Sequence, residues 1–310
     1  MESLAILIPT RNRPKELSTL LRSIQKSTRL PEQVVVIASG QNVAHILDEF
    51  SKSLEITYLH TEVTGQIAQK RLGVELVSKE VDWCLFLDDD LILGESALDL
   101  ALSAARSYEK RDIIGIGLSL PPVSRALSVS KVNKKLLDLF KLSSSRPGEV
   151  LSSGHATSYL QENSVIETQW LNGASMWRSE YIGRYGINLP TTPYAACEDL
   201  IFSYPLSKQG TLIYAPEAKV MFQDSELSEY NSYRVIESAA LWRFYFVSKH
   251  EELSQNFFFL SQIIRGLYVM FYSQDPKLKL LKNLIKLNWK MARAASTGRN
   301  PEELLKELSH

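Results

Sequence analysis

Up to residue 117, short apolar runs alternate with longer amphipathic stretches. The runs "LAILI" (4–8), "QVVVI" (33–37), "EITYL" (55–59), "WCLFL" (83–87) and "IIGIG" (113–117) are rich in β-branched or aromatic residues and bounded by turn formers. That pattern predicts buried strands. Between them, Leu17, Leu20, Leu21 and Ile24 recur at helical spacing, as do Val43, Ile46, Leu47 and Phe50. A third amphipathic stretch, less regular, carries Ile67, Leu72, Val74, Leu76 and Val77. Strands alternating with helices imply crossover connections, hence an α/β fold with a mainly parallel sheet flanked by helices.

Open sheets of this kind bind ligands beyond the carboxyl ends of their strands. The loops expected there are "PTRNRP" (9–14), "ASGQN" (38–42) and "DDDLIL" (88–93). The first offers the guanidinium groups of Arg11 and Arg13, and the last offers Asp88, Asp89 and Asp90. Adjacent carboxylates repel unless a counter-ion joins them. Mg²⁺ or Mn²⁺ takes oxygen ligands and keeps positions open for phosphate oxygens. The alternative is an Asp-rich turn that caps a helix near Glu95. Further on, Glu198 and Asp199 open an amphipathic segment with Leu200, Ile201, Tyr204 and Leu206. Acids in a first helical turn are favoured by the helix dipole alone, and a carboxylate general base is the other reading.

Composition narrows the classes. Lys plus Arg and Asp plus Glu are equal at 35 each, so global charge gives no argument for a nucleic-acid partner. Cys84 and Cys197 lack metal-ligand spacing, which excludes a disulfide framework or a zinc site and fits a reducing cytoplasm. The apolar run before Pro9 is too short for a signal peptide or a membrane span. His45, His60, His155, His250 and His310 share no metal-binding spacing. No nucleophile elbow, P-loop or dinucleotide fingerprint is present either.

Taken in order, "ILIPTRNRP", "TGQIAQKRLGVELV", "FLDDDLIL", "WLNGASMWRSE" and "CEDLIFSYPLSKQG" resemble the elements of the inverting glycosyltransferases of family 2, over roughly residues 4 to 224. The resemblance implies the GT-A type of Rossmann-like sheet and an Mn²⁺ or Mg²⁺ cofactor. It also implies a nucleoside-diphosphate sugar donor, UDP- or dTDP-linked, and a hydroxyl acceptor on a glycan or lipid-linked glycan, usually in bacterial surface polysaccharide synthesis. Carried onto matching positions, it assigns Asp88 and Asp90 to the nucleotide-sugar and its metal, with Asp89 as a helper or sugar contact. Thr10, Arg11 and Arg13 then lie near nucleoside and diphosphate, and Lys70, ahead of Arg71, approaches the diphosphate. Asp199 becomes the general base and Glu198 its supporting neighbour; Asn172 and Gly173 shape the acceptor side, or form a mere turn. Two departures stand out. Ser39 occupies the place of an acidic base-binding residue, and Gln223 with Asp224 replaces a His, so that Asp224 is either a substitute metal ligand or a surface turn. A sugar nucleotidyltransferase would show a glycine-rich basic first loop, which "PTRNRP" is not. A binding or assembly protein that has lost catalysis is the remaining alternative, against which both acidic elements argue.

Residues 119–169 are the least legible, and a lid that orders on ligand binding is expected there. The C-terminal part is aromatic-rich without an apolar run long enough to span a bilayer. In "KLKLLKNLIKLNWKMARAA", Lys279, Lys282, Lys286, Lys290 and Arg293 recur at three or four residues, and Leu278, Leu281, Ile285 and Trp289 do so on another face. A basic amphipathic helix either lies on an anionic membrane surface or packs as a bundle on the catalytic domain. The expected organisation is a catalytic domain, 1–225, and a C-terminal helical region, 226–310. The expected location is the cytoplasm, with peripheral contact at the inner face of the membrane if the basic helix binds lipid.

Overall fold

The computed structural model describes residues 2–109, 112–121, 141–185, 189–192, 195–223, 233–272 and 277–308. They fall into two compact units. One is drawn from Met1–Val123, Ser158–Leu189 and Asp199–Glu226, the other from Ser124–Thr157, Pro190–Glu198 and Leu227–His310.

The first unit is a mixed α/β layer structure. Its strands are β1 (Leu4–Arg11), β2 (Gln33–Ser39), β3 (Ile56–Thr61), β4 (Trp83–Phe86), β5 (Leu91–Leu93), β6 (Ile113–Ser119), β7 (Ile166–Thr168), β8 (Ser175–Arg178) and β9 (Thr211–Phe222). The order across the sheet is β3-β2-β1-β4-β8-β6-β9-β5, with β7 beside β9. Strands β3, β2, β1 and β4 run parallel, β6 and β9 run parallel, and β8 lies antiparallel between the two groups. Leu4 through Ile8 have no exposed surface, as a parallel strand covered on both faces requires.

Helices α1 (Pro14–Gln25), α2 (Ala44–Leu47), α3 (Gln66–Leu76), α4 (Ala97–Ser107), α5 (Ser179–Ile182) and α6 (Glu198–Leu206, whose first residue falls in the second unit) complete this region. Proline at the first position starts α1, since its missing N–H would be unpaired there anyway. Leu17, Leu20, Leu21 and Ile24 are completely buried, and truncating any one to Ala would cost about 2–5 kcal/mol. The apolar spacing around 43–50 yields only the single turn of α2. In α3, Gly73 lets the helix settle onto the sheet: a Cβ there would lie 2.7 Å from the Leu7 side chain and 3.1 Å from Ile37. The sequence suggested a loop throughout 88–93, yet Leu91–Leu93 pair antiparallel with Val220–Phe222 as β5. The aspartates are therefore held from both sides, between β4 and β5.

The second unit is helical: α7 (Tyr233–Lys249), α8 (Gln255–Tyr272), α9 (Lys277–Thr297) and α10 (Pro301–Leu308). Trp242, Phe244, Phe246, Phe258, Met291 and Leu305 are among its buried side chains. Gly154 adopts φ +76°, and Arg243 Nε donates to its carbonyl at 3.2 Å. On α9 the buried row is Leu284, Leu287, Met291 and Ala294, whereas Ile285 and Trp289 are each 61% exposed. The apolar stripe read from the sequence is thus partly exposed. Among the described residues no helix is long and apolar enough to cross a membrane. Of the 119–169 stretch expected to form a lid, residues 122–140 lie outside the described residues, as does Asp224.

Candidate active site

Three strand ends and one helix converge on the carboxyl edge of β1, β2 and β4. After β1 the chain turns through Asn12, at φ +55°, whose Oδ1 accepts from the Gln41 N–H at 2.8 Å. Gly40 has φ +75°, and a Cβ on it would sit 2.2 Å from the same oxygen, so only glycine permits this interlock of the first two loops. The α3 residue Gln69 joins the strands beneath, donating through Nε2 to the Thr10 carbonyl at 2.8 Å and the Ile37 carbonyl at 3.0 Å.

The three aspartates have separate surroundings. Asp89 is buried; it accepts from Thr10 Oγ1 at 2.6 Å and from Arg13 Nη1 at 3.1 Å. Burial raises its carboxyl to about 6, against the lowering influence of Thr10 and Arg13. Asp90 shares the same Arg13 nitrogen at 3.1 Å, and burial, with the neighbouring Asp88 charge, raises it too. Asp88 accepts from Gln66 Nε2 at 2.6 Å and faces Lys70 Nζ at 3.5 Å. The side chains of Asp88 and Asp90 retain 36% and 28% exposure, against 7% for Asp89. Asp89 therefore orders the loop, and its two neighbours present oxygen atoms outward.

Gln223, at the end of β9, holds this loop from below. Its Nε2 donates to the carbonyls of Glu16, Asp89 and Leu91, each at 3.0 Å, and its N–H donates to the Asp90 carbonyl at 2.9 Å. Through these donors it fastens backbone.

Beside Asp88 stand Lys70 and Asp199. Lys70 is 2% exposed, with its ammonium 5.8 Å from the Phe86 ring centre and 5.9 Å from that of Tyr185. Such a buried cation needs compensation, and Asp88 is one source. Asp199, in the first turn of α6, accepts from the Leu200 N–H at 2.8 Å. Burial raises it to about 6; the Leu200 amide and Lys70 pull it down, and Asp88 pushes it up. A carboxyl near 6 is suited to taking a proton close to neutral pH. Ser203 ties α6 to the segment before β8, accepting from the Leu171 N–H at 3.1 Å.

Asn172 is committed to that segment. Its Nδ2 donates to the Leu118 carbonyl at 2.8 Å, its Oδ1 accepts from Ala174 at 2.9 Å, and its N–H donates to Tyr159 Oη at 2.7 Å. Gly173 then leaves room beside Asp88, whose Oδ2 lies 3.5 Å from where a Cβ would be. Arg71 turns away and donates to the Leu189 carbonyl. Arg11 is exposed, and Glu198 opens α6. Ser39 is fully buried with its hydroxyl unpartnered among the described residues.

Sequence reasoning missed Gln66, Gln69 and Tyr159, and singled out Gln223 only as a replacement for a His. The first two had a usable signal, because Gln66, Gln69, Lys70 and Gly73 share one face at helical spacing. Gln223 had none for its hold on the backbone.

A mostly parallel sheet with an acidic strand end at its carboxyl edge and a further carboxylate opposite belongs to the GT-A class of glycosyltransferase folds. The family described as Glycosyl transferase family 2 matches residues 5–125. An "Uncharacterized glycosyltransferase" of Haemophilus influenzae is 31% identical over 87 residues, which cover 28% of this chain and 29% of that protein. The fold recurs in S. aureus TarS 1-349 in complex with UDP-GlcNAc (TM-score 0.57, 13% identity, 98% of this chain and 90% of that one). It recurs in the mannosyltransferase PcManGT from Pyrobaculum calidifontis in complex with GDP-Man and Mn²⁺ (TM-score 0.54, 14% identity, 97% and 77%). Against the longer TarS chain (TM-score 0.53, 14% identity), 98% of this chain matches but spans only 55% of that protein.

Proposed function

We propose that the protein is an inverting glycosyltransferase that moves a sugar from a nucleoside diphosphate, UDP- or dTDP-linked, to a hydroxyl of a glycan or lipid-linked glycan in bacterial surface polysaccharide synthesis. One observation carries this reading. Two outward carboxylates each meet a cation, Asp88 the buried Lys70 and Asp90 the Arg13 guanidinium, and a third carboxyl, Asp199, raised to about 6, feels the charge of Lys70. The domain arrangement proposed with it is a catalytic region, 1–225, followed by helices, 226–310.

The residues fit a divalent ion. Among the described residues no group of three or more His, Cys, Asp or Glu side chains could enclose a metal, so Asp88 and Asp90 would share it with phosphate oxygens, the usual manner of Mg²⁺. Mn²⁺ or Mg²⁺ held there would add positive charge against the leaving diphosphate. Lys70 and Arg13 contribute further positive charge on the same side. Thr10 and Asp89 keep Arg13 in place, and Gly173 leaves space at Asp88 for the sugar and acceptor. Asp199 accepts the proton of the acceptor hydroxyl as its oxygen bonds to the anomeric carbon and the bond to diphosphate breaks. Attack from the face opposite the nucleotide inverts that carbon.

Two further features support parts of this reading. Ser39 stands where the resemblance places base recognition, and as its hydroxyl is buried the backbone of the 38–42 loop would make that contact. The cations of α9 suit peripheral contact with the inner face of the membrane, where a lipid-linked acceptor would lie. A panel of nucleotide-sugars with Mn²⁺ or Mg²⁺, read by thermal stabilisation and slow donor hydrolysis, tests the function. One donor should respond in a metal-dependent way; silence across all nucleoside-diphosphate sugars would rule the activity out.

A further inference from the structure

In the second unit, α8 and α9 leave an apolar groove of about 480 Å³ between them, within the roughly 300–1,000 Å³ of ordinary small-molecule sites. Phe259, Ile263, Leu281, Ile285, Trp289 and Ala292 line it. Ile263, Ile285 and Trp289 are each at least 60% exposed, a concentration of open apolar surface that marks a binding region.

The groove also contains an unmet polar demand. Gln262 is 3% exposed, lines the groove, and neither its Nε2 nor its Oε1 has a partner among the described residues. Beside it Asn288 spends Nδ2 on the Leu284 carbonyl, while its Oδ1 is likewise unpartnered among the described residues. A buried amide left unpaired costs about 1–3 kcal/mol, so an occupant that reaches Gln262 with polar atoms relieves that cost.

Charge identifies the occupant. Helix α9 carries six cations and no acid over Lys277–Thr297. Lys282, Lys286, Trp289 and Arg293 form one ridge at helical spacing along the groove, and the Arg293 guanidinium lies 5.5 Å from the centre of the Trp289 ring. Trp beside cations at an apolar opening is the arrangement found where protein meets a bilayer interface. A second copy of the chain would bring its own cations against these. We infer that the groove takes one hydrocarbon chain of an anionic membrane lipid, with the ester or phosphate oxygens meeting Gln262 and the cationic ridge. This deepens the membrane-contact part of the proposed function and rests on it.

The test uses the full chain with vesicles of phosphatidylglycerol in phosphatidylcholine, some with brominated acyl chains. Bromines should quench Trp289 fluorescence, and Trp289→Phe should abolish that quenching. Ala292 is exposed, so Ala292→Phe fills the groove without disturbing the core. It should weaken binding of monomeric lysophosphatidylglycerol at least about tenfold and leave charge-driven vesicle adhesion intact. Adhesion with no quenching and no effect of Ala292→Phe would overturn the groove assignment yet keep the peripheral contact. Absence of adhesion at low salt would overturn both. A lipid-free dimer that Ile285→Ser dissolves would show a second copy in the groove and refute the lipid assignment.

Discussion

The acidic edge of the sheet and the outer face of α8 and α9 handle polar and apolar groups in opposite ways. At the sheet edge, Asp89, Gln69, Gln223 and Asn172 are each bound to several partners within the same unit. On the helices, Gln262 is buried without a partner among the described residues, and Ile285 and Trp289 stand in solvent. The first region is ordered before any ligand arrives, as electrostatic catalysis requires. The second is completed by something from outside. Substitutions should therefore separate the two regions by what they damage.

The largest effect belongs to Asp199→Asn. Transfer should fall roughly 10²- to 10⁴-fold, the worth of a positioned general base, with donor affinity unchanged in calorimetry. Retained transfer would remove Asp199 from that role. Its pH dependence has a definite sign. The carboxyl is raised to about 6 and works as a base only when ionised, so kcat should decline as pH drops through about 6. Asp90→Ala comes next, and should abolish metal-dependent nucleotide binding measured by thermal shift while metal-independent stability is retained. Unaltered metal dependence would point to other ligands.

Gln223→Leu probes the ordered region without touching its carboxylates. Three carbonyls lose their common donor, which should cost about 1–3 kcal/mol in denaturant unfolding and loosen metal affinity as a secondary effect. A variant as stable as the parent would show that the loop needs no fastening. The smallest effect is expected from Trp289→Ser, on the open face: within about 0.5 kcal/mol of the parent stability. A marked loss in the same unfolding experiment would mean that this ring supports the unit's own packing.

Strands β1, β2, β3, β4 and β6 were legible because each is long enough, or apolar enough, to stand out against helical neighbours. Strand β5 was not, since three residues at the sheet edge look like the tail of the acidic turn, and only pairing with distant Val220–Phe222 makes them a strand. Helix α9 was legible only in part, for another reason. It has two apolar rows, Leu284, Leu287 and Met291 alongside Leu281, Ile285 and Trp289, and periodicity cannot tell which one a neighbour covers. In the candidate site the charged residues were readable because clustered like charge calls for a reason. The work of Gln69 and Gln223 was not, because their partners are backbone carbonyls far away in sequence.

The stretch from Asp199 to Gln223 is one continuous piece of chain: α6 leads away from the crevice and β9 returns, with Gly210 at the bend wedged 2.5 Å, by its absent Cβ, from Ile114. One end bears the proposed base and the other grips the acidic turn. Adding or deleting a residue at 207–210 would slide one reacting group past the other, so the spacing between the two halves of the chemistry is encoded as a length of polypeptide.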